Sequence, residues 1–229
     1  MNNLNKNTII CFVAHPDDEV LGLGGTLIKH VNQKDDVHII IFSLGEESKN
    51  SKDINAERRL SSAKKCSKII GSKSLKLLNY PDQKIDTVPK LEIIKKIENI
   101  IYKLKPNIVY THHEGDINHD HQIINHAVLT ALRPMTLLGH RCEVRTFETI
   151  SSTEQSPYID KYLFKPNFFV DIESEWEKKM IAIKAYKDEL GVFPHPRSIK
   201  SIEALAIKRG TESGLKKAEA FRIIRKIWH

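Results

Sequence analysis

The chain opens with short, nearly continuous apolar runs that alternate with segments whose apolar residues recur every three or four positions. The runs TIICFVA (8–14), VHIIIFSLG (37–45), SLKLLNY (74–80) and NIVYTHH (107–113) read as strands, and their lack of polar alternation suits a parallel sheet covered on both faces. Between them, 20–33, 55–71 and 88–105 carry helix-period hydrophobics. The third of these places Ile94, Ile97 and Ile101 on one face, and the second stops at Gly71.

A βαβαβα order predicts a single α/β domain over residues 1–229, a Rossmann-like three-layer sandwich with a mostly parallel sheet and right-handed crossovers. Beyond it the pattern predicts a helix over about 120–132 and strands at 142–150 and 167–172. A helix over 173–190, a Pro-rich loop over 191–198, a helix near 199–209 and a last strand at 220–228 complete the chain.

Sheets of this kind bind ligands beyond the carboxyl ends of their strands, where the strand order reverses. Two polar loops fall at such ends. HPDDE (15–19) follows the first strand, and THHEGDINHDH (111–121) covers the end of the fourth. His15 and Asp18, two residues apart on a turn, can reach one ion; the second loop adds His112, His113, Asp116, His119, Asp120 and His121. Two nitrogens, one oxygen and an open position make the usual zinc site of hydrolases, and adjacent Asp17 and Asp18 can divide ligation from proton transfer. Each residue also has a structural alternative. An acidic residue at 17–19 would cap the following helix, Asp120 would cap another, and a single histidine at a strand end is ordinarily part of the packing. The coincidence of four histidines within 112–121 favours the metal. GLGG (22–25) lacks dinucleotide spacing and reads instead as close packing of a helix on the sheet.

Composition narrows the class only a little. Cys11, Cys66 and Cys142 are too few and too scattered for a disulfide framework or a thiolate zinc site. The net charge of +7 comes from dispersed lysines, with no basic stripe, so no nucleic-acid partner is expected. No apolar run is long enough to span a bilayer and no leader pattern opens the chain, which makes cytoplasmic residence the expectation.

AHPDDEVLGLGGTL followed by GDINHDHQIINHAV, with AERRLSSAKKCSKIIG, PHPRS and RGTESGLKKAEAF in support, resembles the PIG-L or LmbE-like de-N-acetylases over nearly the whole chain. The resemblance implies a Rossmann-like fold and one Zn2+, or another divalent transition metal, per chain, held by His15, Asp18 and His121. It also implies an amidohydrolase that removes acetyl from an N-acetylated amino sugar or glycoconjugate, N-acetylglucosamine-like, with Asp17 as general base toward a zinc-activated water. Relatives commonly carry a histidine where this chain has Asn118, which can donate a hydrogen bond to an oxyanion but no proton; His119 or His195 could take that part. Asp120 is expected to orient a ligating imidazole, and Arg197 with His195 to touch substrate, while Glu57 and Arg58 could pair on the second helix instead of reaching it. The resemblance leaves room for a homo-oligomer. The alternatives are another metal-dependent hydrolase such as a phosphoesterase, or a non-enzymatic nucleotide or nucleic-acid binder.

Overall fold

A computed structural model describes residues 6–44, 52–135 and 142–228, with the side chains of 52–55 outside the description; Gly45, at the end of the second predicted strand, lies outside it too. The elements are β1 (Thr8–Val13), α1 (Asp18–Asn32), β2 (Asp36–Ser43), α2 (Lys52–Ile70), β3 (Ser74–Tyr80), α3 (Lys90–Leu104), β4 (Ile108–His112), α4 (His119–Ala131), β5 (Glu143–Phe147), β6 (Phe168–Asp171), α5 (Trp176–Ile183), α6 (Ile199–Thr211) and β7 (Ala218–Arg225). The strands form one seven-stranded sheet in the order β3-β2-β1-β4-β5-β7-β6. β1 to β5 run parallel, and β7 pairs antiparallel with both β5 and β6.

Strand alternation explains the unbroken apolar runs. Ile9, Cys11 and Val13 of β1 face the layer of α1, α2 and α5, whereas Ile10, Phe12 and Ala14 face α3 and α4, and all six are fully buried. β2 divides in the same way, with Val37, Ile39 and Ile41 on one side and Ile40 and Phe42 on the other. In α3 the buried stripe is Ile93, Ile97, Ile100 and Ile101, and Ile94 sits at its edge. The predicted face is therefore rotated by part of a turn. Gly71 ends α2 as expected, at φ +90° with its N–H on the Ser67 carbonyl. Cys11, Cys66 and Cys142 are buried free thiols.

Two helices depart from the sequence pattern. α1 bends at Leu23 (φ −147°, ψ 24°), and the amides released at Gly25 and Thr26 are caught by the two carboxylate oxygens of Glu219 on β7, at 2.8 and 2.7 Å. Lys179 of α5 donates to the same carboxylate at 2.7 Å, so a buried ion pair closes the bend. The glycines bring this helix against the sheet. A Cβ on Gly22 would lie 2.3 Å from Phe147 Cδ2, and one on Gly25 would lie 2.7 Å from Ile172 Cγ2. The helix predicted over 173–190 ends instead at Ile183, and residues 184–189 form a tighter turn that leaves helical geometry at Tyr186. No helix among the described residues is long and apolar enough to cross a membrane.

The strand order reverses between β1 and β4. From β1 the chain builds outward through β2 and β3, then returns to place β4 on the other side of β1. The turn after β1 and the loop after β4 thus flank one crevice at the carboxyl ends of adjacent strands.

Candidate active site

Three donor atoms converge in that crevice. Asp18 Oδ2 lies 3.5 Å from His15 Nδ1 and 3.3 Å from His121 Nε2, and donors of the three residues all lie within 4.8 Å of one another. Bonds of about 2.0–2.1 Å in a tetrahedron give edges of about 3.4 Å, so the two measured edges fit a single zinc-sized ion. The set of two imidazole nitrogens and one carboxylate oxygen leaves a fourth position, and His15 and His121 both face a cavity of about 330 Å³. These residues fit a divalent transition metal.

Each donor is braced from behind. His15 Nε2 lies 3.1 Å from Asp120 Oδ2 and 3.3 Å from Asp82 Oδ1, which turns Nδ1 toward Asp18. Asp120 is itself fixed by the amides of Gln83 and Ile85, at 2.9 and 3.2 Å. His15, Asp82 and Asp120 form a second group of potential ligands, but one built on the other nitrogen of the same ring, with Asp120 already engaged by backbone amides. Asp116 approaches His121 Nδ1 at 3.2 Å, off the hydrogen-bonding direction, and accepts from Thr153 Oγ1 at 2.6 Å and from Ser152 Oγ. Asp18 accepts from the amide of His15 at 2.9 Å.

Burial and charge oppose one another throughout. Burial alone would raise Asp18, yet the His121 and His112 imidazoles hold its carboxyl well below the usual range. Burial would lower His121, but Asp18 and Asp116 carry it up to about 9. His15 stands well above its ordinary value, because Asp120, Asp18 and Asp82 outweigh its burial. A divalent cation would take over the positive charge these rings otherwise draw from protons.

His112, equally eligible by composition, is excluded by its hydrogen bonds. Its Nε2 accepts from the Ala14 amide at 2.9 Å, leaving Nδ1 for Thr149 Oγ1 at 3.3 Å. Burial, with His121 nearby, pushes it down to about 3, and the neutral ring stacks on His121 with 3.8 Å between centres. His113 is spent on the Tyr162 carbonyl (2.9 Å) and Glu114 (3.1 Å), and His119 is exposed.

Asp17 adopts φ +99°, an uncommon conformation for a residue with a Cβ. Its side chain makes no helix cap; it lines the cavity, and Oδ2 accepts from Arg197 Nη1 at 2.7 Å. Burial pushes Asp17 up to about 6, against the pull of Arg197. Glu19 reaches back from the first turn of α1 to accept from the amide of Asp17, the residue at the helix cap, at 3.0 Å, and accepts from the Tyr186 hydroxyl at 2.6 Å. Burial pushes it up to about 7.

The helix cap expected of Asp120 belongs to Asn118, whose Oδ1 accepts from the amides of Asp120 (3.0 Å) and His121 (3.4 Å) while the residue lines the cavity. Arg197 lines the cavity wall. His195 does not: it is exposed, and its Nδ1 accepts from the Arg197 amide at 3.0 Å, shaping the turn that presents the arginine. Glu57 and Arg58 are exposed, and the neighbouring Arg59 lines the cavity instead, with Nε 3.5 Å from Glu189 Oε1. Asp82, Gln83, Ser151, Ser152 and Glu189 complete much of the wall, and no sequence motif singled them out.

A larger cavity, about 420 Å³, lies toward the amino ends of β1 and β4 beside β6, near Asn7, His30 and Arg145. Its buried His30 and Arg145 are already matched, His30 to Asp35 (2.7 Å) and Tyr110 (2.9 Å), Arg145 to Glu143 (2.6 Å) and Tyr110 (2.8 Å), while the Thr26 hydroxyl has no partner among the described residues. The smaller cavity is the one onto which His15, Asp17 and His121 open.

Known proteins resemble this chain in sequence and fold. The chain is 25% identical to the diacetylchitobiose deacetylase of Thermococcus kodakarensis, over 97% of this chain and 84% of that protein. It superposes on the N,N'-diacetylchitobiose deacetylase of Pyrococcus horikoshii with a TM-score of 0.79 at 20% identity, covering 96% of this chain and 84% of that one. It also superposes on GalB, the 4-carboxy-2-hydroxymuconate hydratase of Pseudomonas putida KT2440, at a TM-score of 0.78 and 18% identity over 97% and 98% of the two chains. At such identities the structural likeness carries the fold rather than the reaction. Residues 10–132, more than half of the chain, match the PIG-L family, described as GlcNAc-PI de-N-acetylase, and the protein belongs to that family.

Proposed function

We propose that the protein is a metal-dependent N-deacetylase that hydrolyses the acetamido group of an N-acetylated amino sugar or glycoconjugate, N-acetylglucosamine-like, using one zinc or similar divalent ion per chain. The observation that carries this reading is the triangle of His15, Asp18 and His121 opening onto the cavity where Asp17 also points. Family membership and the deacetylase relatives support the choice of bond.

His15 Nδ1, Asp18 Oδ2 and His121 Nε2 would hold the ion. When bound, it supplies a Lewis acid for the acetyl carbonyl and lowers the pKa of water to about 7. Asp17 takes a proton from the attacking water as the C–O bond forms, then returns it to the nitrogen as the C–N bond breaks, releasing acetate and a free amine. Arg197 keeps the Asp17 carboxylate charged and aimed. Asn118 commits its oxygen to α4, so only its amide nitrogen remains to donate toward the developing oxyanion. Asp120 fixes the His15 imidazole through a hydrogen bond, and the Asp116 carboxylate lies beside that of His121 as its countercharge. Arg197, Arg59, Asp82 and Glu189 offer the polar wall that a sugar would meet.

The test is acetate release from a panel of N-acetylated sugars and glycoconjugates. The same panel holds phosphosugars and an unsaturated carboxylic acid, because a phosphoesterase could use this donor set and a hydratase shares the fold. Acetate with stoichiometric free amine is expected. Phosphate release, or hydration without acetate, would replace the assignment.

A further inference from the structure

We infer that Tyr186 and Glu19 form a positioning brace that holds Asp17 in its left-handed conformation, and that turnover depends on the Tyr186 hydroxyl although it does not reach the reacting atoms. The dependence of turnover rests on Asp17 being the proton acceptor; the brace itself rests on geometry alone.

A residue with a Cβ at φ +99° is held there against backbone strain, so neighbouring groups must fix it. Asp17 is fixed on three sides. Its carbonyl accepts from the amides of Val20 (3.1 Å) and Leu21 (2.9 Å) at the start of α1. Its carboxylate meets Arg197 at 2.7 Å. Among the described residues its own amide donates to the Glu19 carboxylate alone, at 3.0 Å, and Glu19 is 1% exposed, out of reach of water that could replace the bond. Whatever holds Glu19 therefore holds the amide side of Asp17.

Glu19 is held chiefly by Tyr186. The phenol donates to Oε1 at 2.6 Å, opposite the Oε2 atom that takes the Asp17 amide, and the ring is buried at 3% exposure. The Cys66 thiol of α2 lies against the same carboxylate. Tyr186 stands where residues 184–189 leave helical geometry, at φ −102° and ψ 40°. Glu189, in the same short segment, lines the cavity. One irregular turn thus supplies a wall residue at the front of the site and a support behind Asp17.

The experiment compares wild type, Tyr186→Phe, Glu19→Gln, Asp17→Asn and the Asp17→Asn/Tyr186→Phe double variant as metal-loaded full chains. Tyr186→Phe removes one oxygen and keeps the ring. It is expected to speed hydrogen exchange at the Asp17 amide, followed by NMR, at least about tenfold, because a buried carboxylate freed on one side no longer fixes its other bond. It is also expected to lower kcat about tenfold or more with KM within about twofold and metal content unchanged, since small misplacements of a catalytic group are costly. Glu19→Gln keeps an acceptor for the Asp17 amide and is expected to retain kcat within about threefold. In the Asp17→Asn background the tyrosine substitution should add almost nothing, because both act through one group. Unchanged Asp17 exchange in Tyr186→Phe would overturn the brace, and a full multiplicative loss in the double variant would overturn its action through Asp17. If the wild type released no acetate from any substrate, the functional reading would fail, while the exchange measurement would still decide the brace.

Discussion

Arg197 Nη1 sits 2.7 Å from Asp17 Oδ2, joining the Pro-rich loop before α6 to the turn after β1 across almost the whole chain. The guanidinium is further anchored by Nε on Ser151 Oγ at 2.6 Å. If Asp17 accepts a proton as proposed, its buried carboxylate must stay ionised, and a partly exposed arginine supplies the countercharge.

Removing that charge gives the first prediction. Arg197 lowers the Asp17 pKa against burial, so Arg197→Ala must raise it, and a larger share of Asp17 is then protonated at a given pH. The acid limb of the kcat/KM profile is expected to move to higher pH, with a loss of about tenfold or more below neutrality and little change in metal content. An unmoved acid limb would separate Arg197 from Asp17.

The buried pair at the bend of α1 gives a stability prediction. Glu219→Ala leaves Lys179 buried without its partner and strands the amides of Gly25 and Thr26. The expected cost is about 3–5 kcal/mol, roughly 10 °C of Tm in a chain of this size. Lys179→Met/Glu219→Gln, which removes the charges together, should cost clearly less in the same melting experiment.

Gly22 tests the contact between α1 and the sheet. Gly22→Ala places a methyl 2.3 Å from the Phe147 ring, whose other neighbours include His112 at 5.1 Å between ring centres. Overpacking of this kind typically costs about 1–3 kcal/mol, to be read from chemical denaturation. An unchanged midpoint would mean that α1 can move off the sheet freely.

Asn118 separates capping from catalysis. Asn118→Asp keeps an oxygen for the amides of Asp120 and His121, whereas Asn118→Ala loses it and should cost about 1 kcal/mol. Because the oxygen is already committed, the amide nitrogen is all that the alanine variant can remove from oxyanion stabilisation. Its kcat is expected to fall by about tenfold or less, against the 100-fold or more typical of a dedicated oxyanion donor. A larger loss at unchanged metal content would give Asn118 the helper's part in full.

The sheet was legible because parallel strands buried on both faces leave a continuous apolar signature, and β1, β2 and β4 lie where that signature does, with β3 a half-buried edge strand beside them. The meeting of the two polar loops followed from strand order alone. What periodicity could not resolve was direction within a loop. His112 and His121 are alike in sequence, and a hydrogen bond from Ala14, distant in the chain, decides which one can offer a nitrogen to the cavity. Arg58 and Arg59 are one residue apart on a helix whose facing is set by tertiary packing, so the residue that lines the cavity is the one the motif left unmarked. The break at Tyr186 was hidden too, since 173–190 keeps helix-period hydrophobics past the point where the backbone turns. Asp82 and Glu189 enter the cavity from segments that carry no motif of their own.

The convergence of the two loops on one cation is tested most directly by metal analysis of the purified protein after equilibration with limiting Zn2+. About one equivalent per chain is expected for the wild type and for Asp17→Asn, and less than about a tenth for His121→Ala and Asp18→Ala, because two donors make a poor zinc site. Stoichiometric metal retained by both His121→Ala and Asp18→Ala, or none bound by the wild type, would contradict the site.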